Sequence, residues 1–160
     1  MVAQISRRYA EILTEIQYPK VNGDSSTPPY LDNNLVPHVR GQHFREASSG
    51  GQVLVSLAWM LAIFEIAYET NNAHPGFLMI DTPQKNLGGK ADDAEFADIH
   101  LVEGMYQHIV NWLESAGRDG QVIIVDNTPP DLFTEHVVVR YTRDPSTPPF
   151  GLIENEVGSR

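Results

Sequence analysis

The run Val53 to Ala67 constrains this chain most. It is the longest strongly apolar stretch, and Glu65, its one charged residue, interrupts it. Its Leu, Ala, Met and Trp content and its length predict a largely buried helix reaching Tyr68, not a strand. The run is too short, and with Glu65 too polar, to span a bilayer comfortably. A helix of this kind needs other elements around it. The chain has 160 residues, which suits one domain whose folding removes roughly two thirds of the extended-chain surface from water.

Two short apolar runs follow. Phe77 to Ile80 ends at Asp81, and Gln121 to Val125 ends at Asp126. Both read as buried strands of a parallel sheet, with loops at their C-terminal ends available for function. Between them the spacing predicts a second long helix over Ala91 to Ser115. Its apolar stripe includes Phe96, Ile99, Val102, Ile109 and Leu113, and Asp92, Asp93 and Glu95 lie where a helix N-terminus favours negative charge. Helix, strand, helix, strand from Val53 to Val125 is a crossover unit of a parallel sheet, so the fold class is α/β. Ile5 to Ile16 predicts a short amphipathic helix. Asn22 to Pro29 is a turn or loop, and Tyr30 to Val39 holds short strands and loops. Val137 to Tyr141 reads as a final strand, and Thr142 to Arg160 as a loop-like tail.

The formal net charge of -10 argues against broad electrostatic capture of DNA or of an anionic membrane. With no cysteine, disulfides and thiolate metal sites are excluded. The N-terminus carries no apolar segment of the secretory type, so a cytoplasmic location is expected. The six histidines are scattered, without HExxH or a dense ligand cluster. Trp59 and Trp112 read as packing anchors. Arg40 and Arg45 precede the Ser/Gly segment and read either as phosphate or partner contacts or as ordinary solvated residues.

Three segments carry candidate chemistry. Ser49-Gly50-Gly51-Gln52 stands immediately before the apolar helix. Glycines there let backbone N–H groups face a ligand, and the helix N-terminus adds positive potential. The plainer alternative is a Ser/Gly loop with Ser49 near a helix cap. Asp81, after four apolar residues, is a candidate to hold Mg²⁺ beside nucleotide phosphates. Asp126 and Asn127 come to the same sheet edge as Asp81, placed to orient water or sense a phosphate. Each of these also reads as an ordinary strand end.

In combination these segments resemble the C-terminal lobe of the ABC-type ATPase head of SMC and Rad50-like proteins. Ser48 to Gln52 is similar to the signature loop, with Ser48 where Leu is usual. Phe77 to Asp81 is similar to the Walker B strand, Asn86-Leu87-Gly88-Gly89 to the D-loop region, and Val122 to Asn127 to the switch strand. The resemblance covers residues 1–145, most securely 47–127. It implies a three-layer P-loop NTPase-like lobe with a mainly parallel sheet. Residues 1–18 become the foot of a coiled coil, and 146–160 a flexible tail. ATP and Mg²⁺ are the implied cofactors. Ser49, Gly50, Gly51 and Gln52 meet the nucleotide held by a second head, most simply in a homodimer, and Asp81 serves the metal. DNA repair or chromosome maintenance is the implied setting, with DNA met through the full assembly and no membrane partner.

Departures from the pattern matter equally. No GxxxxGK[ST] occurs, so the Walker A half must be supplied from outside these residues, and the isolated chain is expected to be inactive. Thr82 stands where the family has its catalytic Glu, and threonine cannot replace a general base. Asn127 stands where the switch His is usual. Asp126, Gln84 or another arrangement of water is left for hydrolysis. Two rivals stay open: a noncatalytic interaction or regulatory domain that keeps the fold, and an unrelated flavodoxin-like or hydrolase domain.

Overall fold

The computed structural model describes residues 1–21, 27–71, 74–84, 86–88, 94–144 and 146–151. Most of the loop expected from Asn22, Gly89 of the D-loop-like segment, Asp92, Asp93 and the tail from residue 152 lie outside the described residues. The chain divides into two compact units, Met1–Thr128 and Pro129–Arg160.

In the first unit, helix α1 spans Val2–Glu15 and buries Ile5, Tyr9, Ile12 and Leu13. This is one apolar stripe at helical spacing, and Arg7 and Glu11 pair on the wet side. The helix ends in a Schellman turn. Gln17 adopts a φ of 57°, its N–H donates to Thr14 O, and the Tyr18 N–H donates to Leu13 O. That reversal carries Tyr18 into the core, where it is buried.

A three-stranded antiparallel sheet follows, formed by β1 (Tyr30–Leu31), β2 (Pro37–Val39) and β3 (Gln42–His43). Arg40 and Gly41, both at positive φ, make the two-residue turn between β2 and β3, whose twist suits adjacent antiparallel strands. This sheet packs through β1 on α1 and through β2 on α2.

Helix α2, Ser49–Glu69, is the apolar run extended at both ends. Ser48 caps it, its Oγ accepting from the Gly51 N–H at 3.4 Å. Asn71 at φ 54° closes it, its N–H donating to Tyr68 O. With 21 residues, the helix is longer than the sequence run, and by length and apolarity it is sufficient to cross a membrane. Most of that length is instead buried inside the protein, with α1 as its main neighbour.

Strands β4 (Phe77–Asp81) and β5 (Gln121–Val125) pair in parallel, in register from Phe77↔Gln121 to Asp81↔Val125. They are not the buried strands expected: Ile80 alone among their residues is buried, because the two strands pair only with each other among the described residues and one face is left to solvent. Helix α3 lies between them in sequence but spans Ile99–Glu114, not the expected Ala91 to Ser115. Two local causes move its start. Asp98 takes extended backbone and accepts from the His100 N–H at 2.9 Å, which makes it the N-cap. Ala94–Phe96 forms a separate 3₁₀ turn that buries Phe96 against Tyr18.

The second unit contains a 3₁₀ turn, Asp131–His136, and a bend in which Thr142 and Arg143 donate to Pro149 O and Phe150 O. The strand expected at Val137 to Tyr141 does not form. Val138 is 93% exposed there. β-branched residues make a strand only where a neighbouring strand and a packed face reward them.

Asp98→Ala should lower stability by about 0.5–2 kcal/mol in urea unfolding, and Asp98→Asn by much less, because only alanine removes the cap acceptor.

Candidate functional site

Parallel register brings the C-terminal ends of β4 and β5 together, so Asp81 and Asp126 leave the sheet at one edge. The Thr82 N–H donates to Val125 O at 2.7 Å, carrying the pairing one step further. Thr82 holds a φ of 51°, a conformation that β-branched residues adopt rarely, and such strain concentrates at functional positions. Its hydroxyl donates to Asp81 Oδ1 at 2.9 Å. Gln84 reaches across, its Nε2 donating to Thr128 O at 2.6 Å.

Asp126 is held from two sides. Its Oδ2 accepts from the Tyr106 hydroxyl at 2.8 Å and its Oδ1 from the Asn127 N–H at 2.7 Å. Burial first, and then the bond to Asp126, raises the Tyr106 pKa, so the phenol stays a donor. The structure therefore gathers Asp81, Gln84, Asp126 and Asn127 at one edge. Asp81 and Asn127 are exposed there. Among the described residues no group of three or more His, Cys, Asp or Glu is placed to hold a metal. A lone exposed carboxylate suits Mg²⁺ only when phosphate oxygens and water complete the shell.

The start of α2 serves two demands. Ser49 is exposed, whereas Gly50 and Gly51 are buried. A Cβ on Gly50 would lie 2.7 Å from Asn86 O and 2.8 Å from Phe96 Cβ, and one on Gly51 2.8 Å from the Tyr18 hydroxyl. Close packing thus requires these glycines, whether or not a ligand binds. Gln52 turns back and donates through Nε2 to Ala47 O at 2.8 Å and to Arg45 O at 3.2 Å. Arg40 is engaged internally. Its Nη2 donates to Pro19 O at 2.7 Å and to Glu95 at 2.9 Å.

A second polar constellation was not anticipated from the sequence. Arg8 of α1 donates through Nη1 to Glu65 Oε2 and to Glu69 Oε1, and through Nη2 to Glu69 Oε2. His108 of α3 stands between two carboxylates, with Nε2 2.7 Å from Glu65 Oε1 and Nδ1 2.7 Å from Glu15 Oε2. Trp112 Nε1 donates to Glu69 Oε1 at 2.8 Å. Glu65 is fully buried. Burial works to lower the pKa of both Arg8 and His108. Hydrogen bonds and charges from Glu69 and Glu65 outweigh it at Arg8, and those from Glu65 and Glu15 at His108, so both end raised. The one available signal was Glu65 inside an apolar run, since a buried carboxylate demands partners.

The chain matches no family model and no curated protein.

Gly50→Ala should destabilise the fold by about 1–3 kcal/mol, because the new methyl meets backbone and a Cβ that cannot swing aside. Denaturant titration of the purified chain measures this, and an unchanged midpoint would contradict the packing role.

Proposed function

We propose that this chain is the signature and Walker B half of an ABC-type ATPase head, working with a separate Walker A half and a second head. The observation that carries the reading is the parallel sheet edge where exposed Asp81 stands beside Asp126 and Asn127. That is the edge where α/β sheets place phosphate-bearing ligands. In this reading Asp81 holds Mg²⁺ against ATP phosphates, Asp126 and Asn127 position water, and Gln84 braces the edge. Ser49 offers its hydroxyl at the positive end of α2 to nucleotide bound by the opposing head. Gly50 and Gly51 let that end pack tightly, and Gln52 fixes the segment before it. A P-loop NTPase-like lobe of this type would act in the cytoplasm, and DNA would be met only through the assembled protein.

A second feature supports a covering lobe. Phe77, Met79 and Val125 are 48%, 59% and 51% exposed and lie on one side of the β4–β5 pair by register. Parallel sheets are normally covered on both faces, so an uncovered apolar face is suited to receive another layer. Thr82, whose hydroxyl is bonded to Asp81, favours the rival reading, in which the lobe engages nucleotide or a partner without hydrolysing ATP, since threonine at this position supplies no carboxylate base of its own.

The isolated chain should show no ATP turnover. Robust Mg²⁺-dependent hydrolysis by this chain alone, abolished in Asp81→Asn, would sink the proposal. In the complete head, Ser49→Arg should abolish ATP-driven dimerisation in a sizing assay. Unchanged dimerisation would remove Ser49 from the shared nucleotide site.

A further inference from the structure

We propose that His108 is a proton-held latch: its imidazolium pins the C-terminal turn of α1 to α2, and loss of the proton frees that turn. This inference rests on the three-helix cluster and is independent of the nucleotide reading.

Both ring nitrogens of His108 lie 2.7 Å from carboxylate oxygens, Glu65 on one side and Glu15 on the other. A neutral imidazole has one N–H and can donate to only one of them, whereas an imidazolium donates to both. The two carboxylates are unequal. Glu65 is fully buried and also bound by Arg8, so it cannot leave. Glu15 is the last residue of α1, and its side chain is 50% exposed. When the ring becomes neutral, Glu15 is the group that turns out into water.

The charged groups facing the cluster agree with this. Helix α1 contributes Arg8, Glu11 and Glu15, with Glu11 3.5 Å from Arg8 Nε. Helix α2 contributes Glu65 and Glu69, and from α3 the neutral Trp112 donates to Glu69. Without the His108 charge, Arg8 faces these carboxylates unaided. The His108 pKa is raised from its ordinary value of 6.5. The sign follows: the latch is fully closed below that ordinary value and opens as pH rises through the raised, folded-state value.

The released turn leads elsewhere in the fold. Immediately after Glu15 the Schellman reversal delivers Tyr18, whose hydroxyl would meet a Cβ on Gly51 at 2.8 Å. Opening the latch therefore loosens the support beneath the first turn of α2.

The chain has no cysteine, so Thr14→Cys gives a unique, exposed nitroxide site on the last turn of α1. Its electron paramagnetic resonance spectrum is recorded on the full chain as the pH is raised from about 6 through and beyond the ordinary imidazole range. We expect an immobile spectrum at the acid end and a growing mobile component with its midpoint above 6.5. In His108→Gln the mobile component should be present throughout and independent of pH. Glu15→Ala deletes the outer acceptor, changes only a half-exposed side chain and keeps the Arg8–Glu65 contact. It should behave the same way, and it decides the matter if His108→Gln does not fold. A spectrum that stays unchanged with pH in the parent, or a parent-like titration in either variant, would overturn the latch.

Discussion

The structure depends on how one carboxylate is buried. Glu65 has no solvent exposure, yet it lies in a helix that is otherwise apolar over most of its length. An unpaired charge in that position costs several kcal/mol, far more than any single apolar contact around it returns. Arg8 and His108 resolve this from opposite sides, one from α1 and one from α3. An apolar helix can rotate among packings of similar energy. A single buried charge removes every rotation that leaves it without partners. The cluster thereby sets how α1 and α3 meet α2, although replacing all its members by well-packed apolar groups could leave the fold equally stable.

With α2 fixed in this way, its first turn is fixed too. Tyr18 comes from the end of α1 and Phe96 from the turn before α3, and the two rings lie 5.5 Å apart beneath Gly50 and Gly51. The strand pair answers to a different constraint. Parallel register aligns the acidic strand ends, and Thr82 carries an unfavourable backbone conformation at their junction. A β-branched residue is kept there only if neighbouring hydrogen bonds over-determine it, and the bonds from its N–H and its hydroxyl do this.

The parts legible in the sequence are those governed by local pattern. The apolar run gave α2, helical spacing gave α1, and the two short runs ending in Asp gave β4 and β5 with Asp81 and Asp126 at one edge, though not the burial expected of them, since only Ile80 in the pair is buried. What was not legible depends on distant partners. The periodic stripe made Phe96 look helical, but its ring is claimed by Tyr18 and the α2 glycines, and Asp98 starts the helix instead. Val137 to Tyr141 has strand composition, but strand formation needs a neighbour that the described residues do not supply. Arg8, Glu65 and His108 are separated by 57 and 43 positions, and no periodicity links residues so far apart.

The Ser/Gly segment shows why a motif can be visible while its meaning stays divided. Glycines before a helix suggest backbone amides opened to an anion. Here the missing side chains face inward, against Phe96, Tyr18 and the Asn86 carbonyl, so packing alone accounts for both glycines. The Gly51 N–H is already bonded to the Ser48 hydroxyl, which weakens its claim to a phosphate. Ligand binding at this end must then rely on exposed Ser49 and on the unsatisfied amides and dipole of the first turn. That division of labour separates the two demands physically. Enlarging a glycine tests the fold, whereas changing Ser49 tests recognition. A phosphate reading built on the glycines would have confused one with the other.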